Sequence, residues 1–348
     1  PVSLLGPGTP LALIPYLADA VPGWFQATLT LYDAKGKELA YDDDYRFDPD
    51  PVLYYEIPRD GDYVVEIRDA IYRGREDFVY RIVLGELPFV TGIFPLGGRA
   101  GADPTVELKG WNLPAASLTP ALKDKAPGIY PICTGKDGRI SNRVPFAVDD
   151  LPECREAEPN NEPATAQTAT LPVIVNGRID SPADRDVFRF QGRTGEALVL
   201  EVVARRLDSP LDSVLKLTDA AGRQLAFNDD HEDKGSGLNT HHADSYLMAT
   251  LPADGTYYVH LGDAQRQGGR RRVHFEERRE GRGEHAILEE VALPRQRIVE
   301  DAPCGAEARA AGAGGIPGEA DPRGKVVLVG VVCAARHTRI AWIHQADG

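Results

Sequence analysis

The chain has 348 residues, 53 of them acidic and 39 Lys or Arg, for a net charge of −14. That balance excludes the basic surface that nucleic-acid binding needs to displace counterions. The longest apolar run, "VVLVGVVCAA" at 326–335, is too short to span a bilayer.

In chain order, the first clear period is at 25–31. Phe25, Ala27, Leu29 and Leu31 alternate with Gln26, Thr28 and Thr30, the pattern of a half-buried strand. "DAKGK" is a turn in which Gly supplies the backbone angle, and "ELAY" begins the return strand. The hairpin ends in an acidic cluster, Asp42, Asp43 and Asp44. "IPRDGDYVVEI" is a Pro/Asp/Gly turn and a further strand, and "DFVYRIVLG" (77–85) is a last one. Residues 88–150 read as a different unit. "VTGIFPLGG" opens it, "TVELKGWNL" is a strand ending in a turn, and "SNRVPFAV" closes it. Its size suits a small Ig-like sandwich. "DDLPECREAEPNNEP" (149–163) is a linker, and "DVFRFQG" (186–192) and "EALVLEVVARRL" (196–207) are two more strands.

The chain then repeats itself. "LTLYDAKGKELAYDDD" (29–44) aligns without a gap with "LKLTDAAGRQLAFNDD" (215–230). "LYYEIPRDGDYVVEIRDA" (53–70) aligns with "LMATLPADGTYYVHLGDA" (247–264). Between the blocks, "AFNDDHEDKGSGLNTHHADS" (226–245) carries the eight residues by which the second copy is longer. In its last strand Tyr257, Val259 and Leu261 share one face, Tyr258 and His260 the other. The first copy has no counterpart of "DVFRF", so it reads as truncated at its start. Short strands between Gly/Pro/Asp turns, with no competing helical period, predict an all-β chain of sandwiches.

"EAEPNNEPATAQ", "GRIDSPADRDVFRF", "LTDAAGRQLAFNDD" and "LPADGTYYVHLGD" together resemble a bacterial pre-peptidase C-terminal domain, over about 155–269. Residues 24–87 resemble the later part of the same domain. "IFPLGGRAGADPTVELKGWNL" resembles the Ig-like IPT/TIG modules. The order of the three is similar to that in large secreted or envelope proteins of planctomycete-type bacteria. The resemblance implies a jelly-roll-like β-sandwich at 151–269, a partial one at 1–87 and an Ig-like module at 88–150. It implies a non-catalytic, extracytoplasmic binding or structural role, with an extracellular protein or polysaccharide as partner. The alternative is an accessory region of a secreted peptidase whose catalytic domain lies elsewhere. Collagen-binding members of the family hold calcium between the acidic linker and a strand-entry loop. That implies Glu156, Glu158, Asn160, Asn161, Asp184 and Asp186 as calcium ligands, with Ala183 standing where those members carry a further acid.

The residues suit calcium on their own chemistry. Calcium takes six to eight oxygens, and "EAEPNN" offers carboxylates and amide carbonyls beside a stiffening Pro159. A solvated acidic linker, or Asn160 capping a turn, is the plainer reading. A second, weaker set is Asn228, Asp229, Asp230, Asp233 and Asp244. The first copy keeps acids here (Asp42, Asp43, Asp44, Asp50) but no histidine, so a shared carboxylate role outweighs a zinc site. His241 and His242 are adjacent and would point to opposite faces of a strand. A solvated loop remains open.

No HExxH, GxSxG, phosphate loop or dinucleotide fingerprint is present. Asp230, His231 and Ser236 are near in sequence, which is not triad geometry. The expectation is a chain without catalysis. Tyr63, Tyr257 and Tyr258 fall on strands, as core or as a binding face. Of Cys133, Cys154, Cys304 and Cys333, the first two could form a disulfide. The sequence opens at Pro1 without a signal peptide, as a fragment or processed product would. Residues 270–348 are rich in Arg, Ala, Gly and Glu, and read as a disordered extension or an out-of-frame stretch. Within them, "RRRVHFEER" offers a short, poor strand and "GKVVLVGVVCAA" an isolated one.

Overall fold

In a computed structural model, residues 25–46, 50–76, 78–182, 184–232, 241–265, 271–279 and 325–332 are described. The chain is all-β and divides into two compact units, Pro1–Leu87 with Pro317–Gly348, and Pro88–Ile316.

The first copy supplies β1 (Ala27–Asp33), β2 (Glu38–Asp42), β3 (Val52–Ile57), β4 (Tyr63–Asp69) and β5 (Arg81–Gly85). β1 lies between β2 and β4, antiparallel to both. Period two is used as the sequence implies. Ala27, Leu29 and Leu31 turn inward onto Leu53 of β3, with Val65 and Ile67 partly buried around them.

The middle module has β6 (Phe89–Phe94), β7 (Gly97–Arg99), β8 (Val106–Trp111), β9 (Ser117–Leu118), β10 (Gly128–Ile132), β11 (Gly135–Lys136), β12 (Arg139–Ile140) and β13 (Val144–Asp149). A β6-β8-β9 sheet and a β10-β13-β7 sheet enclose Val106, Phe146 and Val148. Val203 and Leu207, from the neighbouring sandwich, belong to the same apolar cluster.

The second sandwich contains β14 (Glu153–Arg155), β15 (Gln167–Thr168), β16 (Val173–Ile179), β17 (Arg185–Gly192), β18 (Ala197–Val203), β19 (Ser213–Asp219), β20 (Gln224–Asn228), β21 (His231–Glu232), β22 (His241–His242), β23 (Tyr246–Thr250), β24 (Gly255–Asp263) and β25 (Arg271–Arg279). Its two sheets run β14-β16-β25-β18-β23 and β15-β17-β24-β19-β20. Leu198, Leu200 and Val202 face Leu215, Leu217, Phe188, Phe190, Tyr257 and Val259 in the core.

The two copies share braces as well as strands. Tyr63 donates its hydroxyl to the Arg59 carbonyl at 3.0 Å, and Tyr257 donates to that of Ala253 at 2.6 Å. Asp33 and Asp219 each accept two backbone N–H groups within the turn that follows. Asp42 accepts the Val52 N–H, and Asn228 accepts that of Tyr246.

Three sequence expectations are corrected. Part of the 149–163 linker is a strand: β14 lies parallel to β16. The tail is not wholly without structure. β25 is nine residues long and central, between β16 and β18. A strand β26 (Lys325–Val332) is not isolated but paired on both sides, with β3 and β5. Both depend on pairing partners far away in sequence, which local composition does not encode. Cys154 carries a thiol, so the Cys133–Cys154 disulfide is not made. Residues 1–24 lie outside the described residues.

Candidate metal centre

The linker lies along β16 because its backbone is held there. Glu156 donates its N–H to the Asn176 carbonyl. Gln167 receives the Ala157 N–H at 2.7 Å and donates to the Arg155 carbonyl at 3.0 Å. The Asn160 carbonyl accepts the Val187 N–H at 2.9 Å, which fastens the end of the linker to β17 beside Asp186. The Glu158–Pro159 peptide between these anchors is cis.

The result is a cluster of carboxylates. Ligand oxygens of Glu156, Glu158 and Asp186 lie within 4.8 Å of one another. Asp186 is fully buried, Glu156 half-buried and Glu158 exposed. Glu156 Oε1 accepts the Arg178 N–H, and Glu158 Oε2 accepts the Asn160 N–H at 2.9 Å. Glu156 Oε2 and both Asp186 carboxylate oxygens are buried with no hydrogen-bond partner, as is the amide nitrogen of the fully buried Asn160. Buried carboxylate oxygens are normally satisfied. Burial pushes the Glu156 carboxyl up to about 7. Burial, and then the charge of Glu156, pushes Asp186 well above the ordinary carboxylate range. Turning the Asn160 amide over would present an oxygen in place of the orphaned nitrogen. The orphaned oxygens fit a hard divalent cation.

Two of the sequence-predicted ligands do other work. Asp184 Oδ2 accepts the Asp180 N–H at 2.7 Å. The Asn161 amide, in its satisfied orientation, donates to Asp184 Oδ1 and to the Arg185 carbonyl. This pair closes the loop ahead of β17 and aims Asp186. Ala183 lies outside the described residues.

Sequence reasoning missed Gly177. A Cβ built there would lie 2.5 Å from Glu156 Oε2 and 3.4 Å from Asp186 Oδ2. The signal was available, since a lone Gly inside a strand marks close approach. Arg178, next to it, was also missed. Its guanidinium pairs with Glu107 and stacks over Phe94, both in the middle module.

The second predicted set is not brought together. Asp244 is buried and accepts the N–H groups of Ala204, Arg205 and Arg206, and Arg206 Nε at 2.9 Å. Asn228 braces β23 and donates to the Asp230 carbonyl. Asp229 Oδ1 accepts the Asp230 N–H. Asp233 and Ser236 lie outside the described residues. Among the described residues the three-carboxylate cluster that could hold an ion is the one at Glu156. His231 pairs across from His242 in the β21–β22 ribbon, and its ring packs on Tyr246 at 4.8 Å.

An all-β chain of sandwiches that carries, among the described residues, a cluster of three carboxylates near a module junction is the class that fold and site define. No family model matches the chain. It is 40 % identical over 81 residues to a probable subtilase-type serine protease of Deinococcus radiodurans, covering 23 % of this chain and 10 % of that one. The chain therefore spans about a tenth of that relative's length. Solved structures with a likeness include the pre-peptidase C-terminal domain of a Bacillus anthracis collagenase, at TM-score 0.25 and 16 % identity, covering 34 % of this chain and 100 % of that one. Salmonella Typhimurium PliG, a periplasmic inhibitor of g-type lysozyme, matches at TM-score 0.22 and 13 % identity, covering 37 % and 98 %.

Proposed function

We propose that this is a non-catalytic, extracytoplasmic binding and structural region whose second sandwich is braced by calcium. Glu156, Glu158 and Asp186 would hold the ion, with Asn160 beside them. The observation that carries this is the set of orphaned oxygens on Glu156 and Asp186. Without a cation, like charges in a half-buried site repel and lose hydration. A divalent ion offsets both, and an all-oxygen donor set suits calcium rather than zinc. Bound there, it would tie the linker to β16 and β17. The partner of the sandwich surfaces would be an extracellular protein or polysaccharide.

The test is thermal unfolding of the full chain with calcium and after chelation. At about 100 times Kd, binding is worth ~2.7 kcal/mol, a rise of several degrees. Asp186→Asn is expected to raise the midpoint of the chelated protein, by relieving repulsion, and to abolish the calcium-dependent rise. An unchanged midpoint in the natural chain, with no calcium by elemental mass analysis, sinks the metal reading.

A second reading is favoured by the match to the Deinococcus protease: an accessory region of a secreted peptidase. The parent open reading frame tests it, and one without a peptidase domain rejects it.

A further inference from the structure

The outer face of the β15-β17-β24-β19-β20 sheet carries side chains that the core does not use. Phe188 and Phe190 of β17, Leu215 and Leu217 of β19, and Tyr257 and Val259 of β24 point into the core. The alternate residues therefore point out. The register sets them in rows. His260 lies opposite Lys216, and Lys216 opposite Phe227 of β20. In the next row Arg189 lies opposite Tyr258, and Tyr258 opposite Thr218. Arg185, Arg189 and Phe227 are exposed; Lys216, Tyr258 and His260 are half-buried.

The fold does not neutralise the cations of this face. Arg189 donates Nε to Thr168 Oγ1 at 2.8 Å, which fixes the guanidinium and leaves its two terminal nitrogens without a partner among the described residues. The Lys216 ammonium likewise has no partner among the described residues. Arg185 pairs with Glu162 at 2.9 Å, but the two side chains are 55 % and 64 % exposed, and such surface pairs are weak. The charges of Lys216 and Arg185 both reach His260, opposed by Glu162. The His260 ring is itself engaged with Thr218 Oγ1 at 3.1 Å. Polar groups stand beside the cations: Gln191 Nε2 donates to Thr256 Oγ1 at 2.9 Å. A cavity of about 270 Å³ opens between Thr168, Thr170, Arg189 and Gln191, so this end of the face is recessed. The sandwich does not require such a face. At the positions aligned with Lys216, Tyr258 and His260 the first copy has Thr30, Val64 and Glu66. Its Arg68, two residues further along that strand, pairs with Glu66 at 3.5 Å.

We propose that this face binds an anionic polysaccharide, with Lys216, Arg189 and Arg185 meeting its acidic groups and Tyr258 and Phe227 its sugar rings. The proposal rests on the binding role above and names the class of ligand for it. Arg185 and Arg189 are four residues apart on one strand, about 13 Å, and Lys216 lies two strands away, about 10 Å. That spread is too wide for one small anion and fits charges repeated along a polymer. The net charge of −14 repels a polyanion at long range, so attraction has to be local to this face. An aromatic ring offers an apolar surface to the C–H groups of a sugar, and tyrosine adds a polar tip for its hydroxyls. An acidic peptide would meet the cations alone; an acidic sugar chain meets the cations, the rings and the amide–hydroxyl pair.

The experiment is isothermal titration of the full chain with hyaluronate oligomers of uniform length, at low salt, with chelator and again with calcium. The natural chain is expected to bind, and to lose the oligomer in about 1 M salt, where charges are screened beyond ~3 Å. Lys216→Gln, Arg189→Gln and Tyr258→Ala are each expected to weaken binding about tenfold or more, and Lys216→Arg to keep it. Arg189 and Phe227 are exposed, so Arg189→Gln and Phe227→Ala remain informative if a variant at a half-buried position fails to fold, as its melting curve would show. Absence of binding by the natural chain overturns the proposal, as does affinity unchanged in Arg189→Gln and Phe227→Ala. Equal affinity for poly-glutamate, with Phe227→Ala silent, also overturns it and makes the partner an acidic protein. The calcium reading fails separately. Hyaluronate bound by a chain whose unfolding ignores calcium removes only the metal, and calcium-dependent unfolding without hyaluronate binding removes only the polysaccharide.

Discussion

Gly177 shows how one residue type governs the carboxylate cluster. Its missing Cβ leaves room for Glu156 Oε2 and Asp186 Oδ2. Gly177→Ala is therefore expected to weaken calcium binding about tenfold or more, ~1.4 kcal/mol, by isothermal titration; unchanged affinity would show that the space is not needed. His260 makes a different kind of prediction. Its ring bonds Thr218 Oγ1 at 3.1 Å, and burial, helped by Lys216 and Arg185, pushes its pKa down to about 4. The unfolded chain takes up a proton near pH 6.5 and the folded one only near 4. Stability from this group is thus complete above about pH 6.5 and lost as pH falls to 4. His260→Gln keeps a polar partner for Thr218 without the titration. The second sandwich should then lose less stability between those limits, and an identical acid limb rejects the argument. At this scale the sequence was only partly readable. It marked Asp184 and Asp186 alike, because spacing cannot tell a carboxylate that accepts backbone N–H groups from one left without a partner.

At the scale of elements, turn chemistry and period two were legible because they are local. Asp33 and Asp219 fix the same turn in both copies, and Tyr257, Val259 and Leu261 face inward as the alternation requires. The role of Asp244 in the 226–245 stretch was not legible, since this buried acid acts through distant partners. Asp244 reaches back to the one-turn 3₁₀ helix Arg205–Leu207, where it holds three N–H groups and Arg206. Asp244→Ala leaves those donors and a half-buried guanidinium short of a partner. Glu201, at 2.7 Å from Arg206, compensates only part. The expected cost is ~3 kcal/mol or more, measured by urea unfolding with the calcium concentration held fixed. If Asp244 were instead a calcium ligand, its loss would be nearly silent after chelation and would appear only with the ion present. The length and central place of β25 escaped local reading for a related reason. "RRVHFEERR" has few apolar positions, and its place is set by β16 and β18 on either side.

At the scale of the whole molecule, the repeat was the most informative feature of the sequence, since its two copies share turns and braces and bracket an unlike stretch between them. What it could not give was how the middle module joins the second sandwich. Residues read as a strand tail do this: Val203 and Leu207 complete the apolar cluster around Phe146. Arg178 adds a polar link. Its backbone N–H holds Glu156, and its side chain holds Glu107 and lies over Phe94. The carboxylate cluster and the middle module are thus joined through one residue and a shared core. Local opening of a structure follows such cooperative units. Calcium is therefore expected to slow hydrogen exchange in β8 and β13 as well as in β16 and β17. Leu207→Ala, which removes ~2–5 kcal/mol of core packing, should confine the slowing to the sandwich while β16 and β17 still respond. Amides of β8 and β13 that ignore calcium in the natural chain would show that the two modules, though packed together, open independently.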